Sequence, residues 1–372
     1  MIYKHAHLVS PGFEIEDGFL EVNNGLISAL GPMSDAPSGE GENLGGQMLV
    51  PGFIDLHAHG AGGADVCDAS VEGLKVIADK KGLEGVTTWL PTTLTLPAER
   101  LEDIFRAVAQ WAPDADISVP GIHLEGPFVN REQAGAQNPE FVRLPDVDEL
   151  KKLHAIFPIS VISLAPELEG AINLIRAARD LDIVVSAAHS KATHAEIREG
   201  MAAGMTHLTH FGNAMTPLHH RELGMIGAGL LEDGLKLEVI ADGIHSSDDF
   251  LRLLLKVVPL ERLMLITDSM AAAWQGDGDC KLGGLDVTIA DDCARLQDGT
   301  LAGSTLKFMD GFRRIMELSD QPGHKLIAMT SLNQAKSLGL RDRGILEVGK
   351  RADICVLSED DTDCAGFVAG LP

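Results

Sequence analysis

From residue 48 to residue 267 the chain repeatedly alternates short apolar runs with stretches of helical period, a pattern that few folds accept. The first run, Met48-Leu49-Val50-Pro51-Gly52-Phe53-Ile54-Asp55-Leu56, is nearly continuous in apolar character, which suits a strand buried on both faces. Similar runs follow at Val86 to Leu90, Ile117 to Leu124, Ile159 to Leu164, Ile183 to Ala188, Met205 to Thr209, Lys236 to Ala241 and Arg262 to Thr267. Helical patterns fall between them at Val71 to Lys81, Ala98 to Trp111, Val147 to Phe157, Gly170 to Leu181, Ala195 to Ala203 and Asp248 to Val257. Eight strands of this kind in just over 200 residues match a closed parallel barrel, the α/β class (β/α)8 or TIM barrel, better than an open doubly wound sheet.

The flanks read differently. Residues 1 to 49 show short strands at Ile2 to Val9, Gly18 to Val22 and Leu26 to Leu30, the last two joined by the turn Asn23-Asn24-Gly25. After the eighth barrel strand, Leu285 to Leu301 reads as a hairpin insertion, Thr305 to Leu318 and Lys325 to Gly339 as helices, and Ala352 to Leu357 as a final strand. Pairing that strand with the N-terminal ones would put both chain ends in one small β-sandwich domain. The expected layout is therefore residues 1–49 and 344–372 in the small β domain and residues 50–343 in the barrel.

Composition narrows the partners. Hydrophobic residues make up 45% of 372, ample for one large core and incompatible with general disorder. The excess of 55 Asp and Glu over 30 Lys and Arg, a net charge of −25, opposes nucleic acid and anionic membrane surfaces. An anionic small molecule remains a possible ligand, because a few local donors outweigh a distant field screened over about 8 to 10 Å. Cys67, Cys280, Cys293, Cys355 and Cys364 are odd in number and scattered, which reads as free thiols in a reducing compartment. The N-terminus lacks a charged region followed by a long apolar run, and no apolar stretch reaches 18 residues, so a soluble cytoplasmic protein is expected.

His57-Ala58-His59 comes at the end of the first barrel strand, where two imidazoles at i and i+2 of an extended segment face one side and can reach one ion. Barrel enzymes build their sites at the C-terminal ends of strands, so residues at the other ends form the test. Glu125 closes the third strand, His189 the fifth, His210 the sixth and Asp268 the eighth. Any one of these is equally well a satisfied polar residue at a strand end. Six at one register are hard to reconcile with chance, and imidazoles with carboxylates suit Zn2+ or Fe2+.

The run Val50 to Gly60 resembles the opening signature of the amidohydrolase superfamily, whose members are metal-dependent barrel hydrolases. Many members bridge two metals with a carboxylated lysine ending the fourth strand, but here that strand runs into Leu164-Ala165-Pro166-Glu167, which weighs against dihydroorotase-like and hydantoinase-like readings. His123-Leu124-Glu125-Gly126-Pro127-Phe128 is similar to the motif of the N-acetylglucosamine-6-phosphate deacetylases. Further matches occur at Gly135 to Pro139, Ser186 to Ser190, His210 to Met215, Ala241 to His245, Thr267-Asp268 and Gly299 to Ser304.

The resemblance implies that Glu125, His189 and His210 hold a principal divalent metal, with His57 and His59 completing a second position, so one or two ions per subunit. It implies Asp268 as general base and acid, and substrate contacts from Ala136, Gln137, Asn213, Ala214 and His245. Arg221 would bind the sugar phosphate across a homodimer interface. Gln137 stands where some members carry histidine. The implied reaction is deacetylation of an amino-sugar phosphate, N-acetylglucosamine 6-phosphate. Alternatives are its galactosamine epimer, another N-acyl substrate such as an N-acyl amino acid, or a non-catalytic sugar-phosphate sensor.

Overall fold

The computed structural model describes residues 1–357 and the backbone of the strand Cys364–Val368. Eight parallel strands curl into the barrel: Phe53–Ala58, Val86–Pro91, Ile122–Glu125, Ile159–Leu164, Val184–Ala187, His207–Leu208, Lys236–Ile240 and Leu263–Ile266. The third to eighth form one continuous parallel sheet, and the first pairs with the second. Bridges at Thr88–Ser118 and Thr92–His123 join the second to the third, and the circle closes where Ala58 pairs with Ser269. Both faces of these strands are largely buried, which explains their predominantly apolar character.

Several elements differ from those expected. The third strand starts at Ile122 rather than Ile117, and the sixth is only the pair His207–Leu208. A helix at Gly224–Leu231 follows the sixth strand. Its sequence Gly-Met-Ile-Gly-Ala-Gly-Leu-Leu is apolar all round, so no helical period betrays it. Gly229 is required there, since a Cβ would lie 2.3 Å from the Phe211 ring. The insertion after the eighth strand is a three-stranded antiparallel sheet, Gly278–Leu282, Leu285–Ala290 and Cys293–Leu296, larger than a hairpin. The first helix after it is shorter than expected, Phe308–Glu317. The expected helix from Lys325 to Gly339 is broken into Gly323–Leu326, a 3-10 turn Ile327–Thr330 and Leu332–Ser337. Ser331 marks the break, its hydroxyl donating to the carbonyls of Ile327 and Gly344 in competition with the helix backbone.

The chain ends meet as expected. Asp353–Leu357 runs antiparallel to Met48–Pro51, which pairs in turn with Ile2–Ser10. Phe13–Asn23 and Leu26–Pro32 extend the same sheet, so the sandwich is one continuous hydrogen-bonded sheet around its own core of Tyr3, Leu8, Leu20, Ile27, Leu49 and Ile354. Cys67, Cys280 and Cys293 are free thiols, and the Cys364 side chain lies outside the described residues. Among the described residues no helix is long and apolar enough to cross a membrane.

A buried ionic knot fixes the first strand to the eighth. Lys81 Nζ donates to Asp55 Oδ2 at 3.2 Å, Glu84 Oε2 at 3.1 Å and Thr267 Oγ1 at 3.1 Å, with all three charged side chains fully buried. Thr267 Oγ1 donates in turn to Asp55 Oδ2 at 2.6 Å. Asp55 Oδ1 also accepts from the backbone N–H groups of His57 and Thr267, each at 3.3 Å, which ties the knot to His57 and to the residue before Asp268.

Candidate metal centre and catalytic pocket

His57 is the fifth residue of the first strand and His59 lies one residue past its end, so the expected pair is half inside the strand. Their Nε2 atoms are 3.2 Å apart. Glu125 ends the third strand, with Oε1 at 3.2 Å from His189 Nε2 and 3.1 Å from His210 Nε2, and those two nitrogens are themselves 3.2 Å apart. His57 Nε2 stands 3.6 Å from Glu125 Oε1, and His59 Nε2 stands 3.5 Å from Oε2. Glu125 is thus shared between two groups of three, one with His57 and His59, the other with His189 and His210.

These spacings fit a metal. Ligands at about 2.0–2.1 Å from a tetrahedral ion are separated by about 3.3 Å. Imidazole nitrogens and a carboxylate oxygen converge here at that separation, with every ring buried. Burial alone would raise the Glu125 carboxyl, but His57, His189 and His210 outweigh it and hold it well below the usual range.

Backbone strain places three of these side chains. His189, His210 and Asp268 have φ of 45°, 36° and 52°, the left-handed region, each two residues past its strand rather than at the last strand position. Such a conformation costs of order 1–3 kcal/mol per residue unless its surroundings fix it. Here they do: Asp268 N–H donates to His57 O at 2.8 Å, Ser304 N–H to Asp268 O at 2.8 Å, and Asn130 N–H to His189 O at 2.8 Å. The turn lifts Asp268 to the rim of the cluster, with Oδ1 at 3.2 Å from His59 Nε2 and 3.5 Å from His57 Nε2. Burial would raise its carboxyl, yet His57 and His59 hold it below the ordinary carboxylate range.

The cluster opens into a cavity of about 330 Å³ lined by Ala136, Gln137, Asn213, Ala214, His245 and Asp268 among others. A larger cavity of about 650 Å³ beside the three-stranded sheet contains none of these six. Gln137 lines the pocket and also holds the centre. Its amide donates to Glu125 Oε2 at 2.6 Å while its oxygen accepts from Thr95 N–H at 2.6 Å. His245 Nδ1 bonds Asp242 Oδ2 at 2.6 Å; burial would lower this imidazole, and Asp242 raises it on balance. Arg221 is not brought to the pocket by its own chain: it is exposed, and its Nη1 rests 2.8 Å from His220 Nε2. Among the described residues lining the pocket there is no lysine or arginine.

Residues 48–369 match the amidohydrolase family. The chain is an amidohydrolase. It is 38% identical to the N-acetylglucosamine-6-phosphate deacetylase of Bacillus subtilis (strain 168), over 99% of this chain and 97% of that protein. It is 37% identical to the N-acetylgalactosamine-6-phosphate deacetylase of Escherichia coli O157:H7, over 92% of this chain and 91% of that protein. Among solved structures, the N-acetylglucosamine-6-phosphate deacetylase of Thermotoga maritima superposes with a TM-score of 0.89 at 36% identity, covering 97% of this chain and 96% of that one.

Of four further polar residues around this amidohydrolase centre, three are not evident in the sequence. Asp55, Lys81 and Glu84 form the knot below it, and Glu238 lies buried beside His57. Lys81 ends a helical pattern, where a lysine normally faces water, and only Asp55, inside the family signature, carries a sequence signal.

Proposed function

We propose that this amidohydrolase hydrolyses the acetamide of N-acetyl-D-glucosamine 6-phosphate, giving D-glucosamine 6-phosphate and acetate. The observation that carries the reading is the position of Asp268, an ionised carboxylate at the rim of the ligand cluster and open to the cavity. Zn2+ or Fe2+, one or two per subunit, would be held by Glu125, His189 and His210 and by His57 and His59. Such an ion, when bound, supplies Lewis acidity that polarises a carbonyl and lowers the pKa of water toward about 7.

The chain supplies proton transfer and orientation. Asp268, an acceptor while ionised, takes a proton from the attacking water and returns it to the amine nitrogen as the C–N bond breaks. His245, braced by Asp242, faces the sugar or the acyl oxygen, and Gln137, Asn213 and the backbone at Ala136 and Ala214 line the sugar site. A phosphate needs a cation that this wall lacks. Arg221 of a second copy meets that need, with guanidinium geometry suited to phosphate, which makes the working unit a homodimer. We place the enzyme in the cytoplasm, with residues 1–49 and 344–372 as the small β domain and 50–343 as the barrel.

The test is acetate release from a panel of both epimers, each with and without the 6-phosphate, by metal-loaded and chelator-treated enzyme. The highest kcat/KM is expected for N-acetylglucosamine 6-phosphate, with activity lost on chelation. Preference for the galactosamine epimer or for unphosphorylated sugars would overturn the substrate assignment. Turnover unaffected by chelation would overturn the metal.

A further inference from the structure

Glu238 projects from the seventh strand into the barrel interior, and it is fully buried. Neither of its carboxylate oxygens has a hydrogen-bond partner, and neither does His57 Nδ1, which faces it. The two groups are 3.9 Å apart, His57 Nδ1 to Glu238 Oε2. A buried carboxylate without a partner is costly, by several kcal/mol even after relaxation, so a chain that retains one there has a use for it.

Two other polar side chains among the described residues lie close to Glu238. One His123 nitrogen lies within 4.8 Å of both groups, but both ring nitrogens are engaged, Nδ1 donating to Leu56 O at 2.8 Å and Nε2 bonded to Ser163 Oγ at 2.7 Å. These three residues therefore do not form a separate cation site. Thr209 Oγ1, the other polar group nearby, is engaged with Ser163 at 2.8 Å and Ser186 at 2.6 Å.

His57 has a matching need. A neutral imidazole carries one proton, and a ring that offers Nε2 to a metal must carry it on Nδ1. Left unpaired in the interior, that N–H costs about 1–3 kcal/mol. His59 and His189 present Nδ1 to backbone carbonyls, Thr92 O at 3.2 Å and Gln133 O at 2.9 Å. His210 Nδ1 is buried without a partner, and of the four only His57 presents Nδ1 to a carboxylate; closing 3.9 Å to the roughly 2.8 Å of a charged hydrogen bond takes a small tilt of ring or carboxylate. A carboxylate on the far nitrogen fixes the tautomer and makes the near nitrogen a stronger ligand.

We infer that Glu238 is the positioning residue for His57, accepting its Nδ1–H and thereby strengthening the His57, His59 and Glu125 half of the centre as a metal site. The inference rests on the reading of the centre as a metal site, and its test uses no substrate. Metal-free protein is titrated with Zn2+ against a competing chelator. Wild type binds two equivalents. Glu238→Gln keeps the first at wild-type affinity and weakens the second about 10- to 100-fold, the usual effect of removing such a partner. In a His57→Ala background the same change has no further effect on the remaining equivalent.

Two equivalents bound normally by Glu238→Gln, or a single equivalent in wild type, overturns the inference. So does equal weakening of both. Should the variant fail to fold, ¹⁵N-histidine NMR of Zn2+-loaded wild type decides: the ring signal absent from His57→Ala must show a protonated Nδ1 and a metal-bound Nε2, and the opposite tautomer refutes the role. Two bound equivalents without acetate release would sink the deacetylase reading alone.

Discussion

Replacing Gln137 with alanine removes two buried hydrogen bonds in one step, and the structure sets the scale of the loss. The side chain is 2% exposed and spans Thr95 N–H and Glu125 Oε2, each at 2.6 Å. Losing the bond to an ionised carboxylate costs about 1.5–3 kcal/mol, and leaving the Thr95 amide unsatisfied costs about 1–3 kcal/mol. Water from the adjoining pocket can reach the space an alanine leaves, so the lower ends apply and the expected destabilisation is about 2–3 kcal/mol. Glu125 is also freed to rotate, which should weaken metal about 10- to 100-fold. Gln137→His should retain most of both, because an imidazole can donate from one nitrogen and accept at the other. Urea unfolding of metal-free protein and a chelator competition measure the two quantities separately. A loss of less than about 0.5 kcal/mol, the level of an ordinary surface change, with unchanged metal affinity would show that Gln137 does not brace Glu125.

Lys81→Met should destabilise the fold by about 3–5 kcal/mol by leaving Asp55 and Glu84 buried without their cation; a value near zero in denaturant unfolding would contradict the knot. Burial next to Lys236 lowers the His207 imidazole from 6.5 to about 3. The unfolded chain therefore binds a proton that the folded chain refuses across that window, and stability present in full above pH 6.5 falls as pH drops toward about 3. In metal-free protein His207→Gln should lose less stability over that range, and parallel curves for variant and wild type would refute the assignment. Arg221→Ala should lower kcat/KM on the 6-phosphate by about 1.5–3 kcal/mol and barely alter turnover of an unphosphorylated analogue. Mixed Arg221→Ala and Asp268→Asn subunits should regain activity under exchange, and failure to do so would remove the trans contact.

The barrel was legible because both faces of its strands are buried, so each strand announces itself as an apolar run whatever its neighbours are. The cluster at the barrel mouth was legible for a related reason: the C-terminal ends of barrel strands share one mouth, so His57, Glu125, His189, His210 and Asp268 could be brought together from their places after the strands. Contacts made sideways within the interior carry no such signal. Glu238 is a single acid in the run Lys-Leu-Glu-Val-Ile and reads as the polar position of a half-exposed strand. The helix Gly224–Leu231 hides because its sequence is apolar on every side, which erases its period. Gln137 read as a substrate contact because nothing in a loop sequence reveals that its amide turns back onto Glu125.

Asp268→Asn tests the account most directly, because the amide keeps the shape of the carboxylate and cannot take up the proton. Acetate release from N-acetylglucosamine 6-phosphate is followed with metal content measured on the same samples. The account predicts retained metal, substrate binding close to wild type, and kcat lower by about 10²- to 10⁴-fold, the usual consequence of losing a general acid and base. Near-normal kcat with full metal content would contradict it and remove Asp268 from the reaction.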